Sequence, residues 1–137
     1  MIGITGLAHV GVAVRSLEEA IPVWRDQLGF EHAGTVTVEA MKLRLAFLRL
    51  GGCEIELLEP TAPDSTVAKF LEKRGEGIHH LSFYVDDIEG ALAQAGAAGL
   101  ELIDRTPRVG GHRTRIAFLH PRAARGVLVE LCERRKP

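Results

Sequence analysis

Two histidines and two glutamates fall at matching places in the two halves of this 137-residue chain. His9 aligns with His80 and Glu56 with Glu130. Imidazole and carboxylate together suit a divalent cation such as zinc, iron, cobalt, nickel or manganese. Four protein donors on an ion that prefers six leave two positions for substrate oxygens or water. Each residue alone would read more simply: a histidine at a strand start is more often structural, and a glutamate in an apolar strand is more often at a surface. The repetition reverses that weighting. A carboxylate inside EIELLE and another inside VLVELC are costly on a buried face unless paired or metal-bound. The candidate ligand set is therefore His9, Glu56, His80 and Glu130.

The elements that must position them repeat as well. LAHVGVAVRSLEEAI (7–21) matches IHHLSFYVDDIEGAL (78–92), with His9 on His80 at an offset of 71. That register makes His80, not His79, the equivalent of His9, since His79 falls on Ala8. KLRLAFLRLGGCEIELLEP (42–60) matches RTRIAFLHPRAARGVLVELCE (113–133), where Glu56 meets Glu130 and Glu59 meets Glu133 at an offset of 74. Three extra residues in the second hairpin loop account for the difference.

Side chains alternate across a strand. Val10, Val12 and Val14 thus share one face and His9, Gly11 and Ala13 the other. Leu81, Phe83 and Val85 oppose His80, Ser82 and Tyr84. Glu56 and Glu130 alternate with Ile55 and Leu57, and with Val129 and Leu131. Each apolar face calls for a helix. Ser16 with Glu19 forms a capping box for the first helix, which ends near Leu28-Gly29 and is interrupted by Pro22. Asp87 caps its counterpart, which ends near Gly99. Asp64 or Ser65 caps a third, STVAKFLEKR, closed by Gly75, whose Val67, Phe70 and Leu71 make a core-facing stripe. Helices on one face would leave the opposite face to curve around a cavity.

The expected fold class is α+β: paired βαβββ modules forming a curved mixed sheet around a metal cavity. The expected organisation is one domain over 1–137, with module one at about 5–60, a linker helix at about 64–75 and module two at about 76–134. Length and 46% hydrophobic content fit a single globular core. The net charge of -1 argues against a nucleic-acid partner. No apolar run is long enough to span a membrane, and MIGITGLAHVGVAV reads as a strand and not a signal peptide, so a cytoplasmic location is expected. Cys53 and Cys132 form no CxxC pair and are expected to stay reduced. His32 reads as a surface residue. His112, in VGGHR, and His120, in FLHPR, lie in loops that could line a substrate mouth; neither glycine pair nor loop has the GK[ST] signature of a phosphate loop.

STVAKFLEKRGEGIHHLSFYVDDIEGAL and RIAFLHPRAARGVLVELCE carry a family resemblance. With the His…Glu…His…Glu pattern, they resemble the vicinal-oxygen-chelate, or glyoxalase-like, superfamily, and within it the methylmalonyl-CoA epimerases. The resemblance spans nearly the whole chain and is strongest from IELLEP to VELCE. It implies a homodimer, an acyl-CoA substrate, and a divalent ion, cobalt foremost with zinc, manganese, nickel or magnesium as alternatives, at positions matching His9, Glu56, His80 and Glu130. It implies an isomerase that inverts C2 of methylmalonyl-CoA by removing a proton and returning one through a metal-stabilised enolate; within that reaction the pseudo-symmetry of the modules makes Glu56 and Glu130 the candidate catalytic carboxylates. Some members carry Gln at the Glu56 position and a separate catalytic Glu on the preceding strand, where this chain has Leu45. They also carry a glycine near Met41 or Lys42. The CoA tail calls for cations at the rim: Arg108, Arg113, Arg122 and Arg125 are near in sequence, and His120 with Arg122 are the candidate substrate-binding pair. Rival readings are a glyoxalase I-like lyase acting on a glutathione hemithioacetal, an extradiol dioxygenase, and a non-catalytic small-molecule-binding member of the same fold.

Overall fold

The computed structural model describes residues 1–134; the last residues of the expected domain, 135–137, lie outside the described ones. In order, the elements are β1 (Ile4–Ala13), α1 (Leu17–Pro22), β2 (Glu31–Val38), β3 (Leu43–Leu50), β4 (Cys53–Pro60), α2 (Thr66–Arg74), β5 (Gly77–Val85), α3 (Ile88–Ala97), β6 (Arg108–Val109), β7 (Arg115–Leu119) and β8 (Val129–Glu133). Two β–α–β–β–β runs flank α2, as the repeat predicts. The residues group into two compact units, 9–79 and 1–8 with 80 onward. β1 and β5 each pass from one unit into the other, at 8–9 and at 79–80.

In the unit 9–79 the strand order is β2-β3-β4-β1, with β1 and β4 parallel and the other pairs antiparallel. Ser16 caps α1 by accepting from the Glu19 amide at 3.3 Å. Pro22, which cannot donate to the helix ladder, sits where the helix widens into a π-helical turn over Val23–Gln27. This turn is the form the expected interruption takes, and Gly29 leaves it at φ 86°, a conformation glycine adopts without strain. α1 covers the face made by Val14, Ala46, Leu48, Ile55 and Leu57.

α2 covers part of the opposite face of this unit. Capped by Ser65, α2 sets Val67 and Leu71 against Ala13, Leu43, Leu45 and Leu58. Ala13 alternates in phase with His9, and Leu58 with Glu56. So α2 lies on the same face as the two candidate ligands, beyond them along the strands. Leu45 is a core residue of that packing, 4% exposed. Lys42, at the position where a glycine is expected from the resemblance, adopts φ 54° in the left-handed region. The local backbone keeps a glycine-like turn although the residue is not glycine.

In the other unit the order is β5-β8-β7-β6, with β5 and β8 parallel and the rest antiparallel. The Asp87 side chain caps α3 by accepting from the Gly90 amide at 3.1 Å. Ile88, Ala91, Leu92 and Ala95 then pack on Val85, Ala117, Leu119, Val129 and Leu131. Burying each of the large side chains here contributes about 1.5–3 kcal/mol. The first residues of the chain join this unit: the Thr5 hydroxyl donates to the Tyr84 carbonyl at 3.4 Å.

A further repeated device ties each helix start to the last strand of its unit. Glu59 accepts from the Leu17 amide at 2.8 Å and from Arg44 at 2.9 Å. Glu133 accepts from the Ile88 amide at 3.1 Å and from Arg115 at 3.0 Å. Each carboxylate meets the positive end of a helix and a guanidinium on the neighbouring strand. Three residues before each of these glutamates, and pointing to the other face, lies a candidate ligand.

Candidate metal centre

In the unit 9–79, β1 and β4 run parallel with Gly11 opposite Glu56. His9, two residues before Gly11, therefore projects from the same face as Glu56. Its Nδ1 lies 2.9 Å from Glu56 Oε2. Two donors about 2.1 Å from one ion, at a right angle, are ~3.0 Å apart. This pair thus already has the spacing of neighbouring ligands. His9 is buried and the Glu56 side chain is 13% exposed. Phe47 lies opposite Glu56 on β3 and is buried.

In the other unit, β5 and β8 run parallel with Ser82 opposite Glu130, the same register at the repeat-related place. His80 and Glu130 are both buried, and His80 Nε2 lies 3.8 Å from Glu130 Oε2. The Ser82 hydroxyl, itself without solvent exposure, donates to Glu130 Oε1 at 2.7 Å. Phe118 lies opposite Glu130 on β7, as Phe47 lies opposite Glu56. Its ring meets His80 edge-to-face with centroids 5.7 Å apart. Each unit therefore brings one histidine and one glutamate together on one face, with a phenylalanine opposite the glutamate on the neighbouring strand.

The donor chemistry fits a borderline divalent cation. Two imidazoles and two carboxylates, with no thiolate among them, match the hard-to-intermediate ions of the first transition row. No described buried side-chain nitrogen or oxygen lacks a hydrogen-bond partner, so the carboxylates are held in place and not stranded.

His79 has a different role from its neighbour. It packs edge-to-face on Phe70 of α2 with centroids 5.0 Å apart, and burial lowers its pKa to about 4. A neutral, half-buried imidazole packed on an aromatic ring serves packing, in line with the register that singled out His80.

Of the outlying candidates, His120 and Arg122 share one partner, Glu101. His120 Nδ1 accepts from the Arg122 amide at 3.0 Å and caps the short 3-10 turn Pro121–Ala124. The Arg122 guanidinium holds Glu101 at 2.9 Å, and that cation keeps the Glu101 carboxyl below its usual range. Arg108 hydrogen-bonds Asp104 at 2.6 Å and stacks over the Phe118 ring at 5.5 Å. His112 and Arg113 both adopt positive φ, 56° and 58°, in the loop before β7. Arg125 does so as well, at 60°, in the turn before β8.

Ser82 is the site residue that sequence reasoning missed. The signal was present: Ser82 interrupts the small and apolar pattern at the position that Gly11 occupies in the other repeat. Its role requires knowing that β5 and β8 pair in parallel, which a sequence repeat alone does not specify.

Residues 8–118 match the model of the Glyoxalase/Bleomycin resistance protein/Dioxygenase superfamily. Three relatives are similar over nearly the whole chain. An uncharacterized protein of Bacillus subtilis, YqjC, is 42% identical, covering 93% of this chain and 91% of its own. The mitochondrial methylmalonyl-CoA epimerase of Dictyostelium discoideum is 37% identical, covering 97% and 81%. The ethylmalonyl-CoA/methylmalonyl-CoA epimerase of Cereibacter sphaeroides is 37% identical, covering 91% and 95%. Among solved structures, methylmalonyl-CoA epimerase from Mycobacterium tuberculosis superposes with a TM-score of 0.92 at 38% identity, covering 97% of this chain and 90% of that one. A variant of the Streptomyces coelicolor methylmalonyl-CoA epimerase, in complex with 2-nitronate-propionyl-CoA, superposes with a TM-score of 0.91 at 36% identity, covering 96% and 95%.

Proposed function

Because the chain belongs to the glyoxalase superfamily, and within it to the methylmalonyl-CoA epimerases, we propose that it inverts C2 of methylmalonyl-CoA at a divalent cation held by His9, Glu56, His80 and Glu130. The observation that carries the site is the repeated pairing of histidine with glutamate, His9 with Glu56 and His80 with Glu130. His9, His80 and Glu130 each offer a buried donor atom. The strands that bear the two histidines, β1 and β5, are also the strands that pass from one unit into the other, at the peptide bonds just before His9 and His80.

The substrate has one hydrogen at C2, between a thioester and a carboxylate. When bound, the cation would polarise the thioester oxygen and a carboxylate oxygen of the substrate, which lowers the cost of charge developing there. Glu56 and Glu130 would move the proton. One carboxylate takes the C2 proton while the C–H electron pair moves into the thioester as an enolate. The other, carrying a proton, returns it to the opposite face of C2, and the electron pair re-forms a C–H bond. Nothing is oxidised or reduced, and exchange with water resets both carboxyls. General acid–base transfer of this kind contributes about 10²–10⁴-fold to the rate. With Leu45 buried in the core, the strand preceding Glu56 offers no carboxylate at that position, and Glu56 takes that part.

The rest of the reading follows the family likeness: cobalt as the working ion, with zinc, nickel, manganese or magnesium as alternatives, and a homodimer. Among the described residues, no helix is long and apolar enough to cross a membrane. His120 and Arg122 would flank the CoA tail. The Arg122 side chain is 73% exposed, and its hold on Glu101 is an exposed ion pair that a phosphate can displace.

The test is direct. A single epimer of methylmalonyl-CoA, incubated with cobalt-loaded protein in deuterated water, is expected to invert and to take up deuterium at C2. Activity on a glutathione hemithioacetal or on catechols in its place would overturn the assignment, and activity on ethylmalonyl-CoA alongside would widen the substrate class. Glu56→Gln is expected to lose turnover; full activity in that variant would require a different base.

A further inference from the structure

We infer that Ser82 is a positioning residue that fixes one of the two carboxylates, Glu130, and so makes the repeat-related pair chemically inequivalent; the inference rests on the proposed epimerase reading. The repeat predicts equivalent surroundings for Glu56 and Glu130. The register partners differ. Opposite Glu130 stands Ser82, and opposite Glu56 stands Gly11, which has no side chain to offer. The Ser82 hydroxyl donates to Glu130 Oε1 at 2.7 Å, the length of a charge-assisted O–H···O bond. Both residues are buried, so the bond is shielded from water.

The consequence is a division of labour between the two oxygens of Glu130. Oε1 is held by the hydroxyl, and Oε2 is turned toward His80 at 3.8 Å. Tilting the carboxylate about its last bond would lengthen the Ser82 contact, and only a half-turn, which exchanges the two oxygens, would restore it. Glu56 has no such tether on β1 and meets His9 directly at 2.9 Å. One carboxylate is thus held by a hydroxyl on the neighbouring strand, and the other meets an imidazole. Partners of this kind, which orient a ligand without touching the ion, typically change metal affinity by about 10–100-fold.

Inversion at C2 uses each carboxylate once, so a defect in one shows as an asymmetry between the two epimers. Starting from one epimer in deuterated water, label appears in recovered substrate when the first base exchanges its proton before the enolate is reprotonated. Starting from the other epimer, the roles of the two bases are reversed. A general loosening of the fold would alter both patterns alike.

The experiment uses the full chain as wild type, Ser82→Ala and Ser82→Cys. Cobalt affinity is measured by titration of the metal-free proteins, and the partition of deuterium between recovered substrate and product is measured from each epimer separately. Ser82→Ala is expected to weaken cobalt binding about tenfold and to shift the label partition from the two epimers in opposite senses. Ser82→Cys fills the same space with a weak donor and is expected to behave as the alanine variant does. Wild-type affinity and partition in Ser82→Ala would overturn the inference, as would full restoration by Ser82→Cys, which would assign Ser82 to packing. A wild-type protein that neither binds cobalt nor inverts C2 would overturn the epimerase reading itself, with this inference, and is distinguished by that control.

Discussion

Replacing Glu130 with Gln separates the role of its charge from the role of its shape. The side chain is 6% exposed and keeps the same length in the variant. The amide oxygen can still accept from Ser82, which now sits 2.7 Å from Oε1, so the packing and that hydrogen bond survive. What is lost is a negative donor for a cation and a group able to take a proton. In the metal-free protein, a buried carboxylate without its ion is a cost that the amide does not carry. The metal-free variant should therefore melt at or above the metal-free wild type. Cobalt reverses the order. A ligand at 100 times its dissociation constant stabilises the folded state by about 2.7 kcal/mol. For a chain of this size that corresponds to a rise in melting temperature of roughly 10 °C. Wild type should show that rise, and Glu130→Gln should show little of it at the same cobalt concentration. Turnover should fall at least about 100-fold. The assay is a pair of thermal melts, with and without cobalt, beside an epimerisation rate. A Glu130→Gln protein that keeps both the cobalt-dependent rise and its turnover would refute the assignment of Glu130 as ligand and base.

Other perturbations test the scaffold and the site from different sides. Leu45→Glu places a carboxylate among Ala13, Leu58, Val67 and Leu71, and should cost about 3 kcal/mol or more in denaturant unfolding without adding activity; a stable and more active variant would show that this position faces the reaction after all. Glu59→Ala removes the acceptor of both the Leu17 amide and Arg44, and should cost about 2 kcal/mol, with most of that loss also seen in high salt because the amide contact is not an ion pair; a loss that disappears in salt would assign the effect to Arg44 alone. Dialysis against a chelator should abolish C2 inversion, and cobalt should restore it; inversion that survives chelation would point to a metal-free mechanism.

Much of this was legible in the chain itself. The offset-71 and offset-74 matches located both histidines, both glutamates and the helices after β1 and β5, because a repeat carries its burial pattern with it. Alternation then placed His9 with Ala13 and Glu56 with Leu58, and the packing of Ala13 and Leu58 on α2 follows that phase. Where the reading stopped short, the missing information was pairing between strands distant in sequence. The stripe Val67, Phe70 and Leu71 was recognised as core-facing, but which face it covered depends on where α2 returns, and that is a matter of tertiary packing. Glu59 and Glu133 were matched as repeat partners, yet their function as helix-start acceptors emerges only with Leu17 and Ile88 in contact. The turn at Pro22 was expected as a break and is a widening to π spacing, a local choice that spacing alone does not decide. Ser82 gained its meaning only from the β5–β8 register.

Diffraction at the cobalt absorption edge from crystals of the cobalt-loaded protein tests the central assignment without reference to turnover. One anomalous peak is expected per chain, with His9, Glu56, His80 and Glu130 each supplying a donor at about 2.0–2.2 Å. A peak bound elsewhere, a separate ion on each histidine–glutamate pair, or no peak at saturating cobalt would contradict it.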